Sequence, residues 1–201
     1  MSVIVITRIV IMSRWEPGAR ERLGGAALEL YATKGFEETT VAEIAQAAGL
    51  TERTFFRYFA DKREVLFAGS ELLEQRFVEG AAAAPADAAP IEVVTSAVAA
   101  SADYFPDERR AYSRRRAAII EANPALMERE LHKMSSLATA LATALRARGI
   151  PDPTAMLAAQ SGITVFRVAF SQWIADGNER PMVDIERDMF AELGAIAAQP
   201  R

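Results

Sequence analysis

The chain has 201 residues, 51% of them apolar, enough to bury a sizeable core, and a formal net charge of −4. That acidic balance excludes a generally basic coat of the kind that binds nucleic acid indiscriminately, so any DNA affinity has to come from bases placed locally. There is no cysteine, which removes disulfides, thiol catalysis and sulfur-ligated metals and fits a reducing, cytoplasmic setting.

The opening MSVIVITRIVI has apolar runs broken by Arg8, lacks a small-residue cleavage site and falls short of a membrane span. Residues 1–17 are therefore expected to be a flexible N-terminal extension, neither a targeting peptide nor a membrane segment. A first helix is predicted from about Gly18 to Lys34, with Leu23, Ala27 and Leu30 on one face and Gly35 as its stop. Thr40 and Glu43 then form a capping box, in which the hydroxyl accepts from the Glu43 amide while the carboxylate reaches back. The short helix it starts carries Ile44, Ala45 and Ala48 at helical spacing and stops at Gly49, where a left-handed residue is needed. Leu50 plugs the corner and Thr51 caps a second helix over Glu52–Phe59, with Phe55 and Phe59 inward. Small Ala45 and the turn at Gly49 allow the close crossing of a helix-turn-helix.

The second helix is left with Arg53, Thr54, Phe56, Arg57 and Tyr58 on or beside its outer face. Guanidinium groups reach guanine edges or phosphates, hydroxyls reach phosphate oxygens, and aromatic surface meets thymine methyls or sugars. A solvated αα-corner has no use for Phe56 and Tyr58 there. The bases able to act locally are Arg14, Arg20, Arg22, Arg53, Arg57, Lys62 and Arg63.

Asp61 and Glu64 repeat the cap pattern and predict a long helix over 62–79 carrying Val65, Leu66, Leu72, Leu73 and Phe77. The run GAAAAPADAAP, Gly80 to Pro90, reads as the connection after it. Prolines 106, 124, 153 and 181 then mark helix starts and predict helices near 91–104, 107–122, 124–148, 154–176 and 182–198. With no strand periodicity after Gly18, the fold class is all-α: a three-helix helix-turn-helix domain over 18–61, then a larger helical ligand-binding and dimerisation domain over 62–201, with 62–79 as the link.

The helix near 154–176 is apolar on two stripes, Met156, Ile163, Phe166, Phe170 and Trp173 on one, Leu157, Val165 and Val168 on the other. The last helix adds Met189, Phe190 and Leu193, so these two helices read either as a four-helix homodimer interface, with Leu157, Val165, Val168, Met189, Phe190 and Leu193 as candidates, or as the buried centre of a monomer. Tyr104, Phe105, Tyr112, Phe166, Phe170 and Trp173, together with Leu73, Phe77 and Arg116, are candidates to line a ligand cavity, although aromatics at this spacing also serve as plain core. Arg109–Arg110 and Arg114–Arg116 form either a clamp for an anion such as a coenzyme A thioester or a carboxylate, or a solvated face beside Asp107, Glu108 and Glu121. His132 is the only histidine and builds neither a metal site nor a triad alone. No Gly-rich phosphate loop, paired histidines or Ser-His-carboxylate arrangement is present, so no catalytic residue, metal or cofactor is expected and the chain does not read as an enzyme.

ELYATKGFEETT followed by AEIAQAAGLTERTFFRYFADKREVL resembles the DNA-binding domain of TetR-family transcriptional regulators, with the aromatic run FFRYF and Lys62 matching position by position. The resemblance implies that Thr40, Thr51, Tyr58 and Lys62 hold phosphates while Arg53, Thr54, Phe56 and Arg57 face the major groove. Many members carry a histidine where Tyr58 stands, so the contact there differs in partner and reach. It also implies dimerisation through the last two long helices and a repressor released from a double-stranded DNA operator by a small apolar or acyl-type effector, with no membrane partner. The alternatives are a constitutive DNA-binding protein without a ligand, or a helical ligand-binding protein or enzyme.

Overall fold

The computed structural model describes residues 18–198, so the extension expected over 1–17, Arg14 included, lies outside the described residues. Among these residues every regular element is helical: α1 (Ala19–Thr33), α2 (Val41–Ala47), α3 (Glu52–Tyr58), α4 (Ser70–Ala83), α5 (Pro90–Ser101), α6 (Arg110–Glu121), α7 (Pro124–Ala147), α8 (Asp152–Trp173) and α9 (Met182–Ala198), with 3-10 turns at Glu64–Phe67, Ala102–Tyr104 and Asp107–Arg109. α1–α3 form a small head and α4–α9 a larger body.

The head follows its local signals. The Thr40 hydroxyl accepts from the Glu43 amide and the Glu43 carboxylate accepts from the Thr40 amide at 2.9 Å, closing the capping box. At the other end of α2, Gly49 takes φ +65°, its amide reaches Gln46 O at 2.9 Å and the Leu50 amide reaches Ala45 O at 2.8 Å. This paired closure satisfies two carbonyls and turns the chain into α3.

Two predicted segments differ. The continuous helix expected over 62–79 is instead a 3-10 turn, Glu64–Phe67, then a break, then α4. Gly69 has φ +92°, which no right-handed helix passes, and the Tyr104 hydroxyl lies where a Cβ on Gly69 would stand. The run Gly80–Pro90 is not all connection either. α4 continues to Ala83 and Pro90 is already the first residue of α5. A Cβ on Gly80 would fall 2.8 Å from Ala97 Cα, so the small residues form the crossing of α4 and α5. On the far side of α5, a Cβ on Gly162 of α8 would collide with Val94.

Two hydrophobic clusters organise the packing. The body cluster includes Leu73, Phe77, Val94, Leu141, Phe166 and Trp173. The head cluster joins Leu23, Ile44 and Phe55 to Phe67, Ile119 and Leu126, so the head sits on a platform supplied by the 3-10 turn, α6 and the start of α7.

The arginines of α6 do not form one free clamp, because each is tied to a different partner. Arg110 donates to Asn178 O and to Arg180 O (2.8 Å), while Arg114 donates to Ile174 O (2.6 Å) and Ala175 O (3.0 Å). Both supply donors to the carbonyls of the α8–α9 connection, where no intrahelical amide is available. Arg115 pairs with Glu29 of α1 at 2.6 Å, and Arg116 donates to Leu66 O at 2.6 Å.

Glu186 stands in the buried register of α9, 2% exposed, with one oxygen 3.5 Å from the Ser101 hydroxyl and the other without a partner. Burial pushes its carboxyl up to about 8, so it is protonated at neutral pH. Its contribution is complete below the ordinary carboxylate range and lost as pH rises toward 8, because the unfolded chain ionises first. Glu186→Gln should leave stability nearly unchanged at pH 4 and raise it at pH 8 by about 2 kcal/mol, short of the full cost of ionising a rigidly buried carboxyl because the site relaxes around the charge. Thermal unfolding of both proteins across that range checks it.

Candidate nucleic-acid interface

α3 is held from behind by aromatic packing. Phe55 is completely buried and contacts Phe56 and Phe59 at centroid distances of 5.4 and 5.6 Å. With that side fixed, Arg53, Phe56, Arg57 and Tyr58 are all exposed and Thr54 is half-buried. Arg57 donates to the Tyr58 hydroxyl at 3.1 Å and lies over the Tyr58 ring at 4.9 Å, so the two side chains form one prearranged unit. Arg53 makes no ion pair or hydrogen bond among the described residues and is available to a phosphate or a base edge.

The threonines are caps first. Thr51 accepts from the Thr54 amide at 3.2 Å and its hydroxyl lies 3.1 Å from that of Thr54, leaving one of the two hydroxyl hydrogens for an outside acceptor. The Thr40 hydroxyl donates to Glu43 at 2.9 Å, so it reaches a phosphate as donor only by releasing that carboxylate. Glu43 is held down to about 2 chiefly by Lys34, whose ammonium lies 2.6 Å away, with further bonds from Thr40.

Lys62 departs from its expected role. Its ammonium donates to Phe36 O at 2.8 Å and to Glu37 O and Thr39 O at 3.0 Å each, and lies 4.5 Å from the centre of the Phe36 ring. An ammonium has three donors and all three are used, so a phosphate contact by this side chain would have to open the α1–α2 loop. The same peptide is held from α1, where the Tyr31 hydroxyl donates to Lys62 O at 2.6 Å. Burial, helped by the nearby Asp61, pushes that phenol well above its ordinary range. Arg22, a second expected local base, donates to Ala48 O at 3.1 and 2.6 Å and to Gly49 O at 3.2 Å, tying α1 to the turn of the helix-turn-helix.

The second candidate region is a cavity of about 50 Å³ between α4, α6, α7 and α8. Leu73, Tyr104, Tyr112, Arg116, Phe166 and Phe170, among the candidates named above, line it. Phe77 and Trp173 do not. Both are completely buried behind the wall, Phe77 on Phe166 at 5.3 Å and Trp173 on Phe105 at 5.7 Å. Arg109, Glu130 and Lys133, which are not among the residues expected in the cavity, also line it. Glu130 and Lys133 are nonetheless legible, since they interrupt the buried stripe of α7 that runs through Leu126, Leu137 and Leu141.

Of the expected interface residues, Leu157 and Val168 are exposed, at 71% and 44%, and Ile196 joins them at 60%. Val165 is covered within its own protomer, at 4%, while Met189 and Phe190 pack partly on the body core. No group of three histidines, cysteines or carboxylates able to hold a metal occurs among the described residues, and no described helix is long and apolar enough to cross a membrane.

Two family profiles match this chain. Residues 25–68 match the bacterial regulatory proteins of the tetR family, and residues 88–198, more than half of the chain, match the MftR C-terminal domain. The HTH-type transcriptional regulator TcmR of Streptomyces glaucescens is 37% identical over 78 residues, which are 39% of this chain and 34% of that protein, so the match spans about a third of the curated relative. Among solved structures, the TetR family transcriptional regulator PfmR from Thermus thermophilus superimposes with a TM-score of 0.52 at 22% identity, covering 90% of this chain and 100% of that one. Thermus thermophilus FadR, a TetR family repressor in complex with lauroyl-CoA, gives 0.50 at 24% identity over 90% and 96%. Likenesses at this level carry the fold.

Lys62→Met keeps the stem and removes the three donors. It should destabilise the protein by about 2 kcal/mol, because three carbonyls lose a charged partner. Urea unfolding measures this, and hydrogen exchange at residues 36–40 should show the loss concentrated in that loop.

Proposed function

Since the chain belongs to the tetR family of bacterial regulatory proteins, we propose that it is a cytoplasmic repressor that binds an operator as a homodimer and leaves it when a small effector enters the body. The observation that carries the DNA half is the outer face of α3, where two arginines, an exposed phenylalanine and a tyrosine stand on a helix fixed by Phe55. Arg53, Thr54, Phe56 and Arg57 are assigned to the major groove, with Thr51 and Tyr58 to phosphates. Thr40 reaches a phosphate only as Glu43 gives way, and Lys62 serves the fold. The head over 18–61 reads DNA, and the body from 62 onward senses and dimerises.

The dimer half is supported by the exposed apolar surface of Leu157 and Val168 on α8 and Ile196 on α9, with Leu193 half-buried between. Two such helices from each of two chains close a four-helix interface, and the two heads then address half-sites related by the same two-fold axis.

The effector half is supported by the aromatic lining of the cavity and by its reach to the turn below the head. Acyl chains enter as candidates because Thermus thermophilus FadR is described with lauroyl-CoA. A second reading, constitutive DNA binding, is favoured by the small size of the cavity. At about 50 Å³ it holds only a few water molecules, at ~10–15 Å³ each.

Gel shifts with DNA flanking the protein's own coding region should give a salt-dependent complex. Arg57→Ala should weaken operator binding by roughly 1–3 kcal/mol and affect random DNA less, and equal losses on both would reassign Arg57 to phosphate. Val168→Glu should leave a folded monomer with operator affinity lowered by the loss of the second head. Light scattering checks the first expectation, and a monomeric parent protein would remove the interface. A ligand that raises the melting temperature without lowering operator affinity would favour the constitutive reading.

A further inference from the structure

The cavity has two chemically opposite walls. One is aromatic: Phe105, Phe166 and Phe170 touch one another with ring centroids 5.3 to 6.2 Å apart. The other is ionic. Arg116 of α6 and Lys133 of α7 each lie 2.8 Å from Glu130, with side chains only 15%, 14% and 23% exposed. Two cations share one carboxylate, so the cluster holds an excess positive charge where water solvates it poorly.

Outside, past Gly69, Arg109 and Tyr112, an open groove runs between α1 and α4, and there Glu21, Glu71 and Glu108 stand against Arg20 and Arg109. The groove is thus more acidic than basic, and an anion gains nothing by stopping in it. The charge balance favours an anion inside and disfavours a polyanionic group left outside.

We infer that the effector is a compact amphipathic carboxylate, its head set beside Glu130 as a second partner for Arg116 and Lys133 and its apolar body laid on Phe105, Phe166 and Phe170. The inference rests on the ligand-responsive reading above and names the class of ligand. It departs from a coenzyme A thioester, whose phosphates would lie in the acidic groove. At about 50 Å³ the cavity has to open even for a short body, and further still for a long acyl chain. Arg116 also donates to Leu66 O, so the group that meets the ligand head already holds the turn beneath the reading head.

The titratable and charged groups around Lys133 are Arg116 and Tyr112 from α6, Tyr104 and Arg109 from the 3-10 turns before it, Glu130, Arg129 and His132 on α7, and Glu71 and Glu74 of α4 across the shallow groove on its other side. Burial, then Arg116, lowers its ammonium to about 8, and a second carboxylate at that position raises it again. Binding near pH 8 is therefore accompanied by proton uptake.

Calorimetric titration of the full chain with benzoate, hexanoate, benzamide and hexanoyl coenzyme A tests this. The acids should bind at least about tenfold more tightly than benzamide, in line with the strength of charge-assisted bonds. Lys133→Met should abolish the preference for benzoate over benzamide. Glu130→Gln should tighten benzoate, since the competing internal carboxylate is gone, an effect that a purely structural ion pair would not produce. Heats at pH 8 should differ between phosphate and Tris by the proton taken up. Benzamide binding as well as benzoate, or Glu130→Gln weakening benzoate, overturns the inference. If the thioester binds and releases DNA while the free acids are inert, the ligand class falls and the ligand-responsive reading stands. If the acids bind with the stated signature but leave DNA affinity unchanged, the class stands and the ligand-responsive reading falls.

Discussion

The side chain of Phe67 is the point through which the two halves of the molecule are joined. It is buried in the head cluster, yet its ring is approached by three cations from the body: Arg116 at 5.1 Å, Arg129 at 4.8 Å and Lys133 at 5.9 Å. Glu64 binds Arg129 at 2.7 Å, and Glu130 binds Arg116 and Lys133, so carboxylates close the ring of charge. Each cation–π contact in such a desolvated setting is worth up to ~2 kcal/mol, and together they fix the short turn on which α1–α3 stand. The direction in which α3 points, the placement of the cavity wall and the alignment of the head with the exposed face of α8 all pass through this cluster.

A second regularity explains how an acidic chain spends its bases. Carbonyls at helix ends and in loops are met by cations that arrive from elsewhere: Arg22 at the end of α2, Arg114 at the end of α8, Arg148 at Ala81 of α4, Lys62 in the α1–α2 loop. Each converts a mobile charge into a tie between distant segments. What remains unclaimed on the head is chiefly Arg53, with Arg57 leaning on Tyr58, and both lie on α3. The proposed reading face thus rests on where guanidinium groups stand, not on overall charge.

What the sequence makes legible is what depends on near neighbours. The Thr40 capping box, the Gly49 turn and the inward pair Phe55 and Phe59 involve residues at most five apart, and each is found where the pattern puts it. The tie at Lys62 is not legible because its acceptors lie 23 to 26 residues away. Gly69 reads as helix interior since Val65, Leu66 and Leu73 keep the period on both sides of it, and only Tyr104, remote in sequence, reveals the close approach there. The alanine run after Gly80 looks like linker because small side chains carry no pattern, although smallness is what lets α4 and α5 cross. Within the cavity, aromatic residues draw attention in the sequence, while the charged wall of Glu130 and Lys133 shows only as an interruption of a buried stripe.

The break at Gly69 has a mechanical meaning. An unbroken helix from Glu64 through Ala83 would behave as a rod, passing axial displacement and twist directly to the head. A left-handed residue between two short helical pieces is a pivot instead, which absorbs sliding along α4 and passes on only changes of angle. With Tyr104 lying against the pivot and the Phe67 cluster just beyond it, the leverage of any event in the body depends on how far it rotates that joint, and a small rotation grows into a larger displacement at α3 in proportion to the length of the head.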